Sequence, residues 1–332
     1  MKKLITLALA ALLVLSLAAC GSNSKESSND TASKWPEKSI NFVIGFKAGG
    51  GADITARAVF QPFVEDILGQ KFVISYKEGS NGEVSYTEAA TTAPKDGYTM
   101  YWVAHPGFLT IPLTKDTAKY KLEDITPVAR IATDANVFVV PKNSEFNSIK
   151  DLVDYAKAHP GELTVGDGAL NADDDLALEQ WLRAAGGITV NKIVYSGGTT
   201  DRVTAVLGGH VQVSVINASE VTPYAGELKV LGLMAKERVS FLPDVPTFAE
   251  QGYEVYNSSD RGVMMPGGVD EAIVAKLSDA IKQAMNDPKC QEVMKNLNLT
   301  PAFLDYKEFK ADLERANEAY KEIIAANQAA AK

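Results

Sequence analysis

Apolar positions along this chain fall into short runs that end on glycine or on polar clusters, and the stretch from Ile40 to Ala58 sets the pattern. Ile40, Phe42, Val43, Ile44 and Phe46 make a β-branched and aromatic run of strand length. Gly49, Gly50 and Gly51 end it, and Ile54, Ala58 and Val59 resume at helical spacing. The order is therefore strand, glycine loop, helix. Residues without a Cβ let backbone N–H groups approach a ligand, and a helix start adds partial positive charge there. Ala48 to Gly51 then form either a main-chain anion socket or an ordinary glycine-rich βα turn. Asp53 is expected to cap the helix by accepting from N–H groups of its first turn.

The unit repeats. Lys71 to Lys77 reads as a strand, Gly79 to Gly82 as a turn and Glu83 to Thr92 as a helix; Tyr98 to Ala104 is a third strand, ending at His105-Pro106-Gly107. Loops released by parallel strands gather on one sheet edge, where α/β proteins bind ligands. His105 either faces a ligand there or shapes the Pro-Gly turn. Val128 to Val140 is one long β-prone run carrying polar Thr133, Asp134 and Asn136. After it the rhythm restarts, with a helix from Ser148 to Ala158 and a strand from Leu163 to Val165. Gly166 to Asp175 then leads into a helix from Leu176 to Ala185, with Asp173 to Asp175 at its Ncap and first turn. Lys192 to Tyr195 is a strand, Ser196-Gly197-Gly198 opens another helix, and the strand Val211 to Ile216 ends at Asn217. Two α/β lobes are implied, each offering loops to a shared cleft. Lobe 1 comprises 35–135 plus 262–332 and lobe 2 comprises 136–261, with crossings near Asn136 and Arg261. The C-terminal helices Asp270 to Asn286 and Tyr306 to Ala331 are expected to pack on the first lobe.

The ends change the picture. Lys2 and Lys3 precede an uncharged run from Leu4 to Leu17, too short for a membrane span, so 1–19 reads as a secretory signal. Leu17-Ala18-Ala19-Cys20 resembles a lipobox, which makes Cys20 the expected lipidated first residue of the mature chain. Residues 20–34 have the composition of a flexible tether. A formal net charge of −9 argues against nucleic acid as a partner. It does not exclude an anionic ligand, since exposed charges beyond about 8 Å are screened. The only other cysteine, Cys290, lies in a helical pattern and reads as a small core residue.

Catalytic chemistry is poorly supplied. His105, His159 and His210 stand in separate turns, there is no H-E-x-x-H or G-x-S-x-G, and the Asp167 to Asp175 spacing does not fit a calcium loop. Neither a metal nor a cofactor is expected. What remains is main-chain donors at Gly49 to Gly51, Gly168 to Ala172 and Ser196 to Gly198, each ahead of a helix. Arg57 and Arg202 read as surface or packing residues.

With these segments in view, the chain from about Trp35 onward resembles the Bug-type solute-binding receptors of tripartite tricarboxylate transporters. The similarity lies in Trp35-Pro36, in Phe46-Lys47-Ala48-Gly49-Gly50-Gly51-Ala52-Asp53, in Pro94 to Thr99 and in Tyr195-Ser196-Gly197-Gly198. It continues through Leu207-Gly208-Gly209, Val245-Pro246-Thr247 and Arg261-Gly262-Val263. The resemblance implies a bilobal periplasmic-binding-protein fold of the second type and a di- or tricarboxylate ligand. It also implies delivery to a two-component membrane transporter; together with the lipobox, the chain is expected to be a lipid-anchored extracytoplasmic receptor, and a monomer. By the same resemblance Ala48 to Gly51 and Asn171-Ala172 grip a carboxylate through backbone amides. Many relatives carry Ser and His where Ala172 and Asp175 stand here, and an acid in the pocket would reduce the charge it tolerates. The sequence leaves two alternatives: a receptor for an amino acid or other zwitterion, and a hydrolase or transferase using the same cleft.

Overall fold

The computed structural model describes residues 33–168, 170–195 and 199–330. The stretch that reads as a secretory signal, Cys20 and most of the stretch that reads as a tether lie outside the described residues, as do Ser196 and Gly197. Among the described residues no helix is long and apolar enough to cross a membrane.

From Lys38 onward the strands are β1 (Ile40–Ile44), β2 (Phe72–Tyr76), β3 (Thr99–His105), β4 (Ile125–Thr133), β5 (Asn136–Pro141), β6 (Thr164–Asp167), β7 (Asn191–Val194), β8 (Val213–Asn217), β9 (Leu228–Leu233), β10 (Asp260–Pro266) and β11 (Thr300–Leu304). The α-helices are α1 (Gly51–Val59), α2 (Glu65–Leu68), α3 (Glu83–Thr91), α4 (Gly107–Thr114), α5 (Ile149–Ala158), α6 (Asp173–Ala184), α7 (Thr199–Leu207), α8 (Glu271–Met285), α9 (Pro288–Asn296) and α10 (Tyr306–Ala330). A six-stranded sheet runs in the order β11-β4-β10-β3-β1-β2 and a five-stranded sheet in the order β7-β6-β8-β5-β9. In both, neighbouring strands joined by a helical crossover pair in parallel, β1 with β2 and β3, β6 with β7 and β8. The loops that leave these strands therefore share one edge of each sheet.

The apolar strand pattern comes from burial on both faces. β3 and β5 are almost wholly covered, and Phe138 packs edge to face on Trp181 and Phe248 in the core of the second sheet. Leu313, Tyr320 and Ile324 of α10 join Tyr101 and Val103 on the first sheet, which is where the C-terminal helices were expected to pack.

The run from Val128 to Val140 is not one strand. Its polar middle, Thr133 to Asn136, leaves the first sheet and enters the second, so β4 and β5 belong to different sheets. The return connection runs antiparallel beside it. Asp134 N–H donates to Ser259 O at 3.1 Å, Ser259 N–H to Asp134 O at 2.9 Å and Asn136 N–H to Asn257 O at 3.1 Å. The two connectors thus form a short hydrogen-bonded ribbon. Some element bounds are not legible in the sequence. Helix α4 is apolar on every side and holds Pro112, α9 is short, and β11 is an edge strand carrying Pro301. Helix α6 starts at Asp173, three positions before Leu176, because its first turn is acidic where a helix tolerates acid.

Candidate functional site

The β1–α1 and β6–α6 loops are built alike. Gly49 has φ +75° and Asn171 φ +60°; each is followed by an extended residue, Gly50 at φ −78° and ψ 172° and Ala172 at φ −75° and ψ 173°. Each extended residue is the N-cap of its helix, and neither helix has a side-chain cap. Four residues after the left-handed position comes an aspartate that folds back on it. Gly49 N–H donates to Asp53 Oδ2 at 2.8 Å, and Asn171 N–H to Asp175 Oδ2 at 2.7 Å. The acid at the third helical position closes each loop, and the helix-start amides stay free. Among the described residues the N–H groups of Gly51, Ala52 and Asp53, and those of Asp173, Asp174 and Asp175, meet no acceptor.

This arrangement corrects several sequence expectations. Asp53 accepts from Gly49, upstream of the helix, and not from the first turn. Burial works to raise its pKa, but the Gly49 amide, the Tyr76 hydroxyl and the Arg57 charge outweigh burial and hold it below the usual value. The amides of Gly49, Gly50 and Gly168 are not free for a ligand, since they donate to Asp53, to Lys47 O at 3.1 Å and to Asp167 Oδ1 at 2.7 Å. In the first loop the free donors begin at Gly51. Ala48, Gly49 and Gly51 are exposed, and Phe46 and Gly50 are half-buried. Asp175 does not put its charge into an opening. It is 1% exposed, and its carboxylate is held by the Asn171 amide and the Lys192 ammonium, which also reaches Glu179 at 2.9 Å. Asp167, wholly buried beside this cluster, has its pKa raised by burial and by the neighbouring Asp175.

Polar side chains of the connecting ribbon link the two loops. Arg261 Nη2 lies 3.8 Å from the point a Cβ on Gly51 would occupy, and 3.3 Å from Asp134 Oδ2. Asp134 in turn accepts from Ser219 Oγ at 2.5 Å and from Ser219 N–H at 3.0 Å. Asn217 Nδ2 donates to Asp134 O at 3.0 Å and to Asp173 Oδ2 at 3.1 Å, which closes the path from the start of α1 to the start of α6. Asn217 thus lies at the end of β8, in contact with the connector and with the first residue of α6. Arg202 is neither a surface nor an ordinary packing residue. Its guanidinium is 2.7 Å from Asp174 Oδ2, and both side chains are about 95% covered, with exposures of 5% and 6%. Burial and the adjacent Asp173 push the Asp174 pKa well up against the pull of Arg202. The sequence did not single out Asp134, Asp174, Arg202 and Arg261 as neighbours of these loops; the one visible signal was the polar cluster Thr133, Asp134 and Asn136 inside a β-prone run.

His105 belongs to a different opening. Adjacent strand residues face opposite ways, so Asp260, which pairs with His105, lies on the other face of the sheet from Arg261. There His105 is 6% exposed, 3.5 Å from the Tyr320 hydroxyl, and borders a groove of about 920 Å³ along the ribbon and α10. None of Gly49, Gly50, Gly51, Asn171 and Ala172 lines that groove. His105, Asp260 and Asp312 each bring a ligand atom within 4.8 Å of the others. Arg130 Nη1 already sits between the two carboxylates at 2.9 and 3.1 Å, supplying the countercharge a metal would bring.

Comparison with known proteins assigns this architecture. The family described as tripartite tricarboxylate transporter family receptor matches residues 56–328. A Cupriavidus necator protein described as "UPF0065 protein in gbd 5'region" is 33% identical over 298 residues, 88% of this chain and 89% of the relative. The crystal structure of a TctC solute binding protein from Polaromonas superimposes with a TM-score of 0.79 at 25% identity, covering 88% of this chain and 99% of that one. An R. palustris protein solved with adipate superimposes with a TM-score of 0.71 at 26% identity, covering 87% of this chain and 97% of that one. With its two like-built loops on paired α/β sheets, the chain belongs to the tripartite tricarboxylate transporter receptor family, as an extracytoplasmic solute-binding protein and not an enzyme.

Proposed function

We propose that this receptor captures a di- or tricarboxylate between its lobes, closes over it and hands it to a two-component membrane transporter, while lipidated Cys20 holds it to the membrane. The observation that carries the reading is the pair of uncapped helix starts, α1 and α6, whose loops are closed by Asp53 and Asp175 so that the next amides stay open. One such socket on each lobe suits a molecule with a carboxylate at either end. Charge-assisted hydrogen bonds contribute about 1.5–3 kcal/mol each, so four of them reach the ~8 kcal/mol that micromolar affinity requires. The relative solved with adipate, itself a dicarboxylate, supports the ligand class. In this reading 35–135 plus 262–332 and 136–261 are the moving bodies, and the hydrogen-bonded ribbon of connectors is their pivot.

A second reading has one observation in its favour. Asp173 is half-buried at the first position of α6, and its carboxylate beside Asn217 would hold an ammonium group. Mass spectrometry of ligand released from the purified chain, followed by a thermal-shift panel of dicarboxylates, tricarboxylates and amino acids, separates the two. A ligand at 100 times its Kd adds about 2.7 kcal/mol of stability, so a dicarboxylate is expected to raise the Tm clearly. A shift with amino acids alone would transfer the assignment to the zwitterion class. For the anchor, a Cys20→Ser chain should leave the membrane fraction; retention there would remove lipidation from the proposal.

A further inference from the structure

Arg261 stands at the start of β10, where the second connector re-enters the first sheet, and nothing in its strand requires a cation at that point. Its Nη1, Nη2 and Cζ atoms lie 3.8 to 3.9 Å from the Cβ position of Gly51. Side chains on a helix lean toward its N-terminus, so this contact puts the guanidinium beside the free amides of α1. The side chain is 19% exposed and therefore reachable. Its commitments are weak. Among the described residues it donates to Thr55 Oγ1 and to Asp134 Oδ2, both at 3.3 Å, beyond the usual N–H···O distance, and a guanidinium has five N–H donors. Asp134 is better held elsewhere, by two shorter bonds from Ser219.

We propose that Arg261 sets the anion preference of the cleft: a ligand carboxylate seated on the Gly51 and Ala52 amides takes the Arg261 guanidinium away from Asp134. The inference rests on the reading of the α1 start as a carboxylate socket and adds the side chain that completes it. A guanidinium matches a carboxylate fork to fork, so an amide socket with Arg261 beside it holds a full carboxylate more firmly than a neutral carbonyl. Asp134 becomes the internal competitor for the same cation.

Competition makes affinity depend on the proton carried by Asp134. The groups that face this carboxylate are Arg261 from β10 and Ser219 and Glu220 from the turn after β8. Burial pushes its pKa up to about 6, with Arg261 and Ser219 opposing and Glu220 reinforcing. Glu220 is itself engaged with Thr199 Oγ1 at 2.6 Å, and Asp173 reaches the cluster through Asn217. Above that pKa Asp134 is charged and competes for Arg261; below it Asp134 is neutral and Arg261 is released to the ligand. Affinity therefore rises as the pH falls through this window, and Asp134→Asn holds the chain in the released state at any pH.

The test is calorimetric titration of the purified chain with succinate, adipate and citrate at pH 5.5 and 7.5. Wild type, Arg261→Gln, Asp134→Asn and, as a socket control, Gly50→Asp are compared. Arg261→Gln should bind at least about tenfold more weakly at both pH values, the loss of one charge-assisted bond. Asp134→Asn should bind more tightly than wild type at pH 7.5, with the gap narrowing at pH 5.5. Comparing the two chains at one pH cancels the titration of the probe itself, and a gain of affinity cannot come from a damaged fold. If Arg261→Gln binds as wild type does, or Asp134→Asn gains nothing at pH 7.5, while Gly50→Asp loses binding, the role of Arg261 is overturned and the socket stands. Wild-type protein that binds none of the three probes overturns both.

Discussion

Gly50→Asp is expected to abolish carboxylate binding while making the protein slightly more stable. Gly50 is the N-cap of α1 and already has the extended backbone, φ −78° and ψ 172°, that a capping side chain needs. As glycine it offers nothing to the amides that follow, and they meet no acceptor among the described residues. An aspartate there would present its own carboxylate to those amides and occupy the position of the ligand. N-capping of this kind contributes about 0.5–2 kcal/mol to helix stability. Losing two charge-assisted bonds to a ligand, at about 1.5–3 kcal/mol each, weakens binding by at least ~100-fold. The backbone strain is small, since this φ suits any residue; the tightest contact of a new Cβ is Lys47 O at 3.1 Å. Calorimetric titration and a melting curve on the same sample check both halves. Unchanged affinity would show that the start of α1 is not where the anion sits, and a Tm lowered by several degrees would mean that the loop cannot accept the side chain.

The largest loss of stability is expected from Arg202→Met. Arg202 and Asp174 form a pair that is almost fully covered, and removing one partner of such a pair typically costs about 3–5 kcal/mol because the other is left buried without compensation. Methionine keeps most of the volume, so the loss reports on charge more than on packing. Asp174 already has a raised pKa from burial and from Asp173, and it would take up a proton in the variant, which limits the damage. Adding Asp174→Asn should then restore most of the lost stability, the non-additivity that marks a direct pair. Denaturant melts of the two single variants and the double variant measure it. A single-variant loss under about 1 kcal/mol, or two losses that simply add, would show the pair to be energetically idle. Because Asp174 is the second residue of α6, the single variant should also weaken ligand binding, through the position of that helix start.

Both predictions depend on features that differ in how far they can be read from the chain. The alternation of apolar runs and glycine turns identifies β1, β2, β3, β6, β7 and β8 with their helices, because strand and helix periodicity are local properties of successive residues. The likeness of the two loops was within reach for the same reason. Gly49 and Asp53, and Asn171 and Asp175, stand at equal spacing, and each bond closes within one turn. Sequence reading nonetheless assigned free amides to all of Gly49 to Gly51, where only that of Gly51 meets no acceptor among the described residues, since a hydrogen bond that consumes an N–H does not show in residue type.

What periodicity could not supply was the partner of each charge. Asp134 meets Arg261 across 127 positions of chain, and Asp174 meets Arg202 from a different helix. The sequence by itself determined the α/β alternation and the glycine loops. Only the tertiary structure decided that Thr133 to Asn136 joins two sheets and is not the middle of a strand, that His105 faces the groove beside α10, and that Arg261 lies next to the start of α1. The reason is that a buried charge is tolerated only where folding brings it a partner, and the identity of that partner is set by which elements pack together.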